Sequence, residues 1–245
     1  MVKIVENVLL KENIYKLVVE AKDLVRNALP GQFVMLMTHE ESERIPLTIH
    51  AYNKESGNLT LIYQVVGAGT LELSKEKETL FSLVGPLGNP SELIVNVDDL
   101  KEKNILFIAG GIGVASIYPQ AKYLHERGIN VSIIYGAKNK QFIILEEELR
   151  SVCQELILTT DDGSMGHKGV VTDCIKERNA IDICVAIGPM VMMKNVSNLT
   201  KEMGIKQIVS LNPIMVDGSG MCGACRVEVG GKVKFACVEG PEFDG

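Results

Sequence analysis

The stretch Asp217-Gly-Ser-Gly-Met-Cys222-Gly-Ala-Cys225, followed after eleven residues by Cys237, decides how the end of the chain folds. Cys222 and Cys225 form a C-x2-C pair, a spacing that lets two thiolates reach one metal centre from a single turn. The glycines among them adopt left-handed backbone at little cost, so the chain can wrap closely around a bound group. The stretch therefore predicts a metal centre.

The spacing of this segment also indicates which metal centre it holds. A plant-type [2Fe–2S] loop reads C-x4-C-x2-C with a distant fourth cysteine. Here Asp217 stands where the first cysteine belongs, and a carboxylate can ligate iron although it is a harder donor than a thiolate. We therefore predict a [2Fe–2S] site ligated by Asp217, Cys222, Cys225 and Cys237. Two alternatives stay open: a structural zinc site, which also uses C-x2-C pairs, and three structural thiols in a hairpin.

Length and composition bound the remaining possibilities. The chain has 245 residues, enough for about two domains. A net charge of −6 and only 5% aromatic residues argue against a nucleic-acid surface. No apolar run is long enough to cross a bilayer, and the first residues lack the apolar stretch of a signal peptide. Cys153, Cys174 and Cys184 lie singly and are predicted to be buried thiols, so we expect a reducing, cytoplasmic location.

Residues 1–98 read as short strands separated by turn signals, a pattern typical of a closed antiparallel barrel. A short helix is predicted at residues 70–74. The predicted strands are residues 3–10, 14–21, 32–38, 47–53 and 58–66.

Two stretches of this barrel have the residue types of an anion site. In Arg44-Ile-Pro46-Leu47-Thr48 the arginine offers a cationic fork suited to phosphate, with a hydroxyl beside it. In Tyr63-Gln64-Val65-Val-Gly-Ala-Gly69-Thr70 a strand ends in a glycine turn that opens a helix, where free N–H groups favour an anion. Alone, the first is a solvated charge and the second an ordinary turn. Together, in this order, they predict a phosphate cradle.

The middle of the chain predicts a second nucleotide-binding domain. Residues 104–109 form a continuous apolar run, as a buried parallel strand should, and lead into Gly110-Gly111-Ile-Gly113. A helix at residues 114–127 and a strand at 130–135 complete a βαβ unit with a glycine-rich first turn, the arrangement that holds a dinucleotide pyrophosphate. The match to G-x-G-x-x-G is incomplete because Ser116 takes the third glycine position.

Helices and strands continue to alternate as far as residue 210, which implies a parallel sheet with ligands at the carboxyl ends of its strands. Those ends carry Asp161 and Gly188-Pro189-Met190, whereas Met192 and Met193 are predicted to be core. The predicted fold is α/β plus all-β: a barrel at 1–98, a doubly wound domain at 99–210 and an iron–sulfur domain at 211–245. The further predicted helices are 146–151, 173–178 and 190–203, and the strands 155–159, 183–187 and 207–210.

These parts together resemble the ferredoxin–NADP reductase superfamily, and more closely its branch with a [2Fe–2S] tail, the electron-transfer subunits of dihydroorotate dehydrogenase B. The tail is similar to that of small subunits of NADH-dependent reduced ferredoxin:NADP oxidoreductases, also called sulfide dehydrogenase small subunits, because the dihydroorotate subunits have Cys in place of Asp217. Two residues depart from the family pattern: Ser116 replaces a proline, and Ile187 stands where many relatives have Cys.

The resemblance implies which residues bind which cofactor. It implies FAD binding by Arg44, Pro46, Leu47, Thr48, Tyr63, Gln64, Val65, Gly69 and Thr70. It implies binding of the nicotinamide nucleotide by Gly110, Gly111, Gly113, Gly188, Pro189 and Met190. It also implies a larger flavin and iron–sulfur partner subunit, with ferredoxin as an indirect partner.

A nicotinamide delivers two electrons as a hydride and an iron–sulfur cluster accepts one at a time, so a carrier between them must do both, and a flavin can. We therefore predict an oxidoreductase subunit without a catalytic acid or base, in which His50 and His167 are surface or hydrogen-bonding residues. NAD(H) is favoured over NADP(H), since the stretch Gly136-Ala-Lys138-Asn139 after the strand at 130–135 has no arginine cluster to pair a 2′-phosphate. The alternatives are the electron-transfer subunit of dihydroorotate dehydrogenase B and a nucleotide-binding redox sensor without turnover.

Overall fold

The fold divides into two compact units. The structure, a computed structural model, describes residues 1–176, 178 and 180–245. Residues 1–91 and 212–241 form the first unit, here called the barrel unit, and residues 92–211 and 242–245 form the second, here called the nucleotide unit. The cysteine-rich tail, residues 212–241, therefore belongs to the same compact unit as the barrel. The three-domain division at 1–98, 99–210 and 211–245 stays a prediction.

The barrel unit is built on a seven-stranded sheet in the order β6-β1-β2-β5-β4-β3-β7 with antiparallel neighbours. Its edge strands β6 and β7 follow each other in the chain, and Phe81 between them donates its N–H to the carbonyl of Met37 at 3.0 Å. The sheet is therefore nearly closed, which confirms the predicted barrel. The strands are β1 (Val2–Lys11), β2 (Ile14–Glu20), β3 (Phe33–Met37), β4 (Ile45–Asn53), β5 (Asn58–Gln64), β6 (Thr79–Leu80) and β7 (Ser82–Leu87), with helices α1 (Lys22–Asn27) and α2 (Ala68–Leu73).

Alternation along the strands builds the barrel core. In β2, Leu17 and Val19 are fully buried while Lys16 and Val18 between and beside them are only half-buried, as the period of two in a strand requires. Leu59 and Leu61 of β5 repeat the pattern from the neighbouring strand. These side chains form one apolar cluster inside the barrel.

One buried polar network ties helix α2 to this core. Asn7, which is 4% exposed, donates from Nδ2 to the carbonyls of Leu73 and Glu76 at 2.8 and 2.9 Å. Its Oδ1 accepts from the hydroxyl of Tyr63 at 3.0 Å. Burial raises the pKa of Tyr63, so its hydroxyl stays protonated and donates. Every polar atom of the Asn7 side chain is thus partnered, and the end of α2 is fixed to the barrel.

The nucleotide unit is a twisted α/β sheet in the order β11-β10-β9-β8-β12-β13-β16. All neighbours are parallel except β16, which runs antiparallel to β13, so the predicted parallel sheet is confirmed. Its strands and helices, in chain order, are α3 (Glu92–Val95), β8 (Asn104–Gly110), α4 (Val114–His125), β9 (Asn130–Ala137), α5 (Glu146–Arg150), β10 (Glu155–Thr160), β11 (His167–Lys168), α6 (Val171–Ile175), β12 (Ile183–Ile187), α7 (Met190–Glu202) and β13 (Lys206–Ser210).

The tail adds a hairpin of β14 (Arg226–Val229) and β15 (Lys232–Phe235), then α8 (Ala236–Glu239), and finally β16 (Glu242–Asp244). The first three belong to the barrel unit, and β16 is the strand that joins the sheet of the nucleotide unit. Among the described helices, none has the length and apolar character that a membrane span requires.

Two departures from the predicted elements have physical reasons. The helix predicted at 173–178 is Val171–Ile175, and residue 177 lies outside the described residues. Asp173 is not its first residue, because its carboxylate reaches back to accept the N–H of Val170 at 3.0 Å, as a residue in the third helical position does. Strand β7 was not predicted, because Gly85 and Pro86 disfavour a strand; the sheet tolerates them since β7 lies at an edge.

Replacing Tyr63 with Phe tests the buried network. Tyr63→Phe removes the donor to Asn7 and leaves a buried acceptor unpartnered, so we expect a loss of about 1 to 3 kcal/mol in the free energy of unfolding. Circular dichroism in a urea titration measures it. Tyr15→Phe is the matched control, because the ring of Tyr15 stacks on Tyr63 at 5.5 Å and survives the change. Equal losses in the two variants would show that the Asn7 network contributes nothing.

Candidate functional site

The first predicted flavin segment lies at the start of β4. Arg44 is exposed immediately before the strand, and among the described residues no salt bridge engages it. Residues 45–48 are half-buried, and β4 pairs with β3 so that Pro46 lies opposite Met35 and Thr48 opposite Phe33. A cation without a protein partner at the edge of a half-buried strand fits an anionic ligand.

The second predicted flavin segment lies beside the first. A methyl group placed on Gly69 would meet Oε2 of Glu43 at 3.2 Å and Cδ1 of Ile45 at 3.4 Å, so the glycine turn packs directly on the start of β4. The hydroxyl of Thr70 accepts the N–H groups of Val66 and Gly67 at 3.0 and 3.2 Å and closes this turn. The two segments thus meet in one place, although the amides of Val66 and Gly67 are used within the turn.

The residues of this second segment differ in their exposure. Tyr63 is only 1% exposed and its hydroxyl donates to Asn7, so its predicted contact with a flavin stays a prediction. Gln64 and Val65 are half-buried and are held by Asn13, which donates to the carbonyl of Val65 at 2.8 Å and accepts from Nε2 of Gln64 at 3.1 Å. Asn13 was missed because it reads as a plain turn residue between β1 and β2.

The glycine turn of the nucleotide unit requires the absence of side chains. A methyl group on Gly113 would overlap the carbonyl oxygen of Ile187, and one on Gly110 would lie 2.6 Å from Sδ of Met192. One on Gly188 would lie 2.8 Å from Cα of Gly110. The turns after the neighbouring strands β8 and β12 therefore touch, and Gly111 and Gly188 leave half-buried backbone at the carboxyl edge of the sheet, where a dinucleotide is expected.

The remaining predicted nucleotide residues lie at the same edge of the sheet. Asp161 is exposed directly after β10, and its N–H donates to the carbonyl of Ala137 at the end of β9 at 3.2 Å. Ser164 joins the loops after β9 and β10, because its hydroxyl accepts the N–H of Lys140 at 2.8 Å. Pro189 and Met190 are exposed at the start of α7, the latter at 62%. Met193 is buried, and Met192 is half-buried against Gly110.

The cysteine-rich segment brings two of its four predicted ligands together. Sγ of Cys225 lies 3.1 Å from Sγ of Cys237, and both residues are buried. The N–H of Cys237 donates to the Cys225 sulfur at 3.5 Å. Burial and the neighbouring Cys225 thiol raise the pKa of Cys237 to about 12, so a bound metal must supply the charge that keeps this sulfur a thiolate.

The other two predicted ligands are linked to each other, with Cys222 exposed and Asp217 half-buried. The carboxylate of Asp217 accepts the N–H of Cys222 at 2.7 Å, and it also accepts the N–H and the hydroxyl of Ser219. Hydrogen bonds from the Ser219 amide and from Cys222 hold the pKa of Asp217 well below its usual range. Asp217 is therefore an anion at the point where the cysteine pattern places a ligand.

This two-by-two arrangement fits a two-iron cluster better than a single zinc ion. In a [2Fe–2S] cluster each iron takes two protein ligands, whereas a structural zinc takes four. Two thiolates on one tetrahedral ion with bonds of ~2.3 Å would lie about 3.8 Å apart, so the buried cysteine pair needs only a small outward movement. In the part of the chain that the structure describes, no three potential ligands are grouped around one point. The ligand assignment itself stays a prediction.

The remaining predicted residues, two histidines and three cysteines, lie outside the predicted flavin, nucleotide and cluster segments. His50 is buried at 6% exposure and so is not a surface residue, and His167 is exposed, with Nε2 3.9 Å from the Asp173 carboxylate. Cys174 and Cys184 are buried thiols, as predicted, and Cys153 is half-buried.

Alanine substitutions at Gly111 and Gly113, in the turn after β8, distinguish an effect on nucleotide binding from an effect on stability. Gly113→Ala should lower the free energy of unfolding by about 3 kcal/mol, because the methyl group meets the backbone of Ile187. Gly111→Ala has no protein atom within 4 Å and carries only the left-handed penalty of about 1 to 2 kcal/mol at a φ of +54°. We expect it to weaken NADH binding about tenfold or more in a titration, since its methyl group would project into the predicted nucleotide site.

Gly204→Ala is the matched control for Gly111→Ala, because it has a φ of +68° and open space around it. It should lose the same stability and bind NADH like the unaltered chain. Equal NADH affinity in the Gly111 and Gly204 variants would place the nucleotide elsewhere.

Known proteins match the chain over its whole length. Residues 212–245 match the family described as the iron-sulfur cluster binding domain of dihydroorotate dehydrogenase B. A Thermotoga maritima protein described as a dihydroorotate dehydrogenase B (NAD(+)) electron transfer subunit homolog is 47% identical over 99% of this chain and 86% of that protein. The electron transfer subunit of Desulforamulus reducens is 33% identical over 94% of this chain and 90% of its own length.

One solved structure matches the whole chain closely. A chain from work on flavin-based electron bifurcation by the NADH-dependent reduced ferredoxin-NADP oxidoreductase superposes with a TM-score of 0.92 at 44% identity, covering 100% of this chain and 88% of that one. The matches confirm the predicted fold class, the resemblance and, for the family, the cofactor set of FAD, a [2Fe–2S] cluster and NAD(H). The chain belongs to the family of dihydroorotate dehydrogenase B electron-transfer subunits and their homologues.

Proposed function

We propose that this chain is the electron-transfer subunit of an NADH-dependent reduced ferredoxin:NADP oxidoreductase, passing electrons between NAD(H), FAD and a [2Fe–2S] cluster. One observation carries the proposal. Gly218, next to the predicted ligand Asp217, packs on Met35 of β3, and Met35 lies opposite Pro46 in the predicted flavin strand. The loop predicted to hold a one-electron carrier is thus seated on the barrel predicted to hold a flavin.

The residues of the chain have binding roles in this function. When bound, a flavin supplies the ability to take a hydride and release single electrons. Arg44 offers the charge that holds its phosphates, and the contact of Gly69 with Ile45 keeps the two flavin segments together. Gly110 and Gly113 let the turns after β8 and β12 pack together, and the half-buried Gly111 between them offers backbone that a dinucleotide would approach. Orientation, rather than proton transfer by a side chain, accounts for the catalysis that the protein contributes.

We favour NAD(H) as the nucleotide because of the charges at the ends of β9 and β10. The N–H of Asp161 donates to the carbonyl of Ala137, which joins the ends of the two strands. In nucleotide-binding sheets an acidic side chain hydrogen-bonds the ribose 2′-hydroxyl, whereas an arginine accommodates a 2′-phosphate. An acidic residue after β10, with Lys138 and Lys140 but no arginine cluster after β9, supports the hydroxyl.

We propose that a larger flavin and iron–sulfur subunit docks over the predicted cluster loop, and that ferredoxin exchanges electrons through that subunit. Met221, adjacent to Cys222, is 91% exposed, and Ile214 and Val216 before it are 79% and 53% exposed. Exposed apolar side chains grouped in one segment mark an interaction site.

Anaerobic purification tests the function directly. We expect a coloured protein with iron and sulfide in equal amounts and one flavin per chain, which reduces a dye when NADH is added. Flavin and cluster without NADH-driven dye reduction would favour the redox sensor, and zinc in place of iron and sulfide would contradict the proposal.

The second candidate is the electron-transfer subunit of dihydroorotate dehydrogenase B, favoured by the 33% identical relative from Desulforamulus reducens. Co-purification from native cells separates the two. A partner with flavin and [4Fe–4S] clusters supports the first candidate, and a barrel partner with FMN supports the second.

Two substitutions at Asp217 distinguish an iron ligand from a turn residue. Asp217→Cys keeps a ligand but removes the acceptor for Ser219 and Cys222, and Asp217→Asn keeps an acceptor but removes the anion. If Asp217 binds iron, the Cys variant retains its iron with a shifted midpoint potential and the Asn variant loses most of it. Iron analysis and electron paramagnetic resonance measure this, and the reverse order of iron retention would assign Asp217 to the turn.

Met221→Arg tests the proposed docking face. Burying this charge without a partner should weaken association with the larger subunit about tenfold or more, as measured by analytical ultracentrifugation. Val95→Arg is the control, since Val95 is 66% exposed in α3 of the nucleotide unit. An unchanged affinity of the Met221 variant would place the interface elsewhere.

A further inference from the structure

The end of strand β7 holds the segment that follows Cys237. Asn89 donates its N–H to the carbonyl of Gly240 at 2.7 Å and its Nδ2 to the carbonyl of Val238 at 3.1 Å. Val238 directly follows the predicted ligand Cys237, so one side chain and one amide fix both ends of the short stretch after that cysteine. Asn89 precedes Pro90, and in the sequence it reads only as a turn residue.

Asn89 stands on a rigid base within the barrel unit. Gln32, which is 8% exposed, donates from Nε2 to the carbonyl of Gly88 at 3.0 Å and accepts the N–H of Leu29 at 3.0 Å. A methyl group on Gly88 would lie 3.1 Å from the carbonyl oxygen of Gly240, so the two chain segments also touch beside the hydrogen bond. The position of Asn89 is therefore set by the barrel.

The same end of β7 touches the segment on the other side of the predicted ligands. A methyl group on Gly218 would lie 2.7 Å from Cγ of Met35 and 3.0 Å from Cδ1 of Leu87. Residues 87–89 thus contact the tail both before Cys222 and after Cys237. Of these contacts, only the Asn89 amide is a directed side-chain interaction that a conservative substitution can remove.

We propose that Asn89 is a positioning residue that fixes Cys237, and with it the iron–sulfur loop, on the flavin barrel. The inference rests on the proposed function. Because Cys237 is buried beside Cys225 and its neighbour Val238 is tethered to Asn89, the position of Cys237 is fixed relative to the end of β7. Groups that orient metal ligands in this way tune how tightly the metal is held and at what potential.

Two substitutions test the proposal in the full-length, anaerobically purified protein. Asn89→Asp keeps the size and turn preference but replaces the donor to Val238 with a carboxylate oxygen, and Asn89→Leu removes the donor without adding charge. Both should retain flavin, lose the cluster to an iron chelator about 10 to 100 times faster, and show a shifted cluster potential. Hydrogen exchange at residues 236–240 should also accelerate, because the side-chain tether to Val238 is lost while only the backbone bond to Gly240 remains.

Asn53→Leu is the matched control. Its Oδ1 accepts the N–H groups of Glu55 and Ser56 at 2.9 Å each in an exposed turn of the same unit, so the change removes two comparable hydrogen bonds far from the tail in sequence. It should leave chelator resistance and cluster potential unchanged. Asn89 variants that lose their cluster at the rate of the Asn53 variant, with an unchanged potential, would overturn the inference. An unaltered chain without a cluster would instead refute the proposed function.

Discussion

The structure of the barrel unit depends on how closely the tail approaches the barrel. Gly218 has a φ of +79° and lies against Met35 and Leu87, where a methyl group would be 2.7 and 3.0 Å from their side chains. Only glycine meets both conditions at no steric cost. This contact places Asp217 at the barrel wall, and the hydrogen bonds from Asn89 do the same for the segment after Cys237. The predicted iron ligands are therefore part of the barrel unit.

In the nucleotide unit, too, glycines allow two chain segments to pack closely. Gly110, Gly113 and Gly188 lack side chains where the turns after β8 and β12 press together. Gly110 and Gly113 are buried by this packing, whereas Gly111 and Gly188 stay half-buried at the carboxyl ends of the strands, where a dinucleotide is expected. In both units, glycine lets two chain segments pack closely. The family resemblance predicts one electron-transfer function for both units, since a flavin can pass electrons between a hydride carrier and a one-electron carrier.

Local patterns predicted most of the fold. Apolar runs and glycine turns placed β8, β9 and β12 to within two residues, and alternation placed the barrel strands from β1 to β5. Edge strand β7 escaped because Gly85 and Pro86 have contrary propensities. The hairpin of β14 and β15 was missed although valine alternates with charged residues on both sides of Gly230-Gly231, a pattern that predicts a hairpin. The Cys spacing indicated the ligands, and the pairing of Cys225 with Cys237 needed coordinates. Asn7 and Asn89 could not be found from sequence, because their partners lie 66 and 149 residues away.

The central claim is that electrons from a nicotinamide reach the tail through a flavin in the barrel. Electron paramagnetic resonance of the anaerobic protein, recorded after addition of NADH alone, tests it most directly. The account predicts the spectrum of a reduced [2Fe–2S] cluster together with bleaching of the flavin absorbance. A bleached flavin with a silent cluster, which dithionite nevertheless reduces, would contradict it.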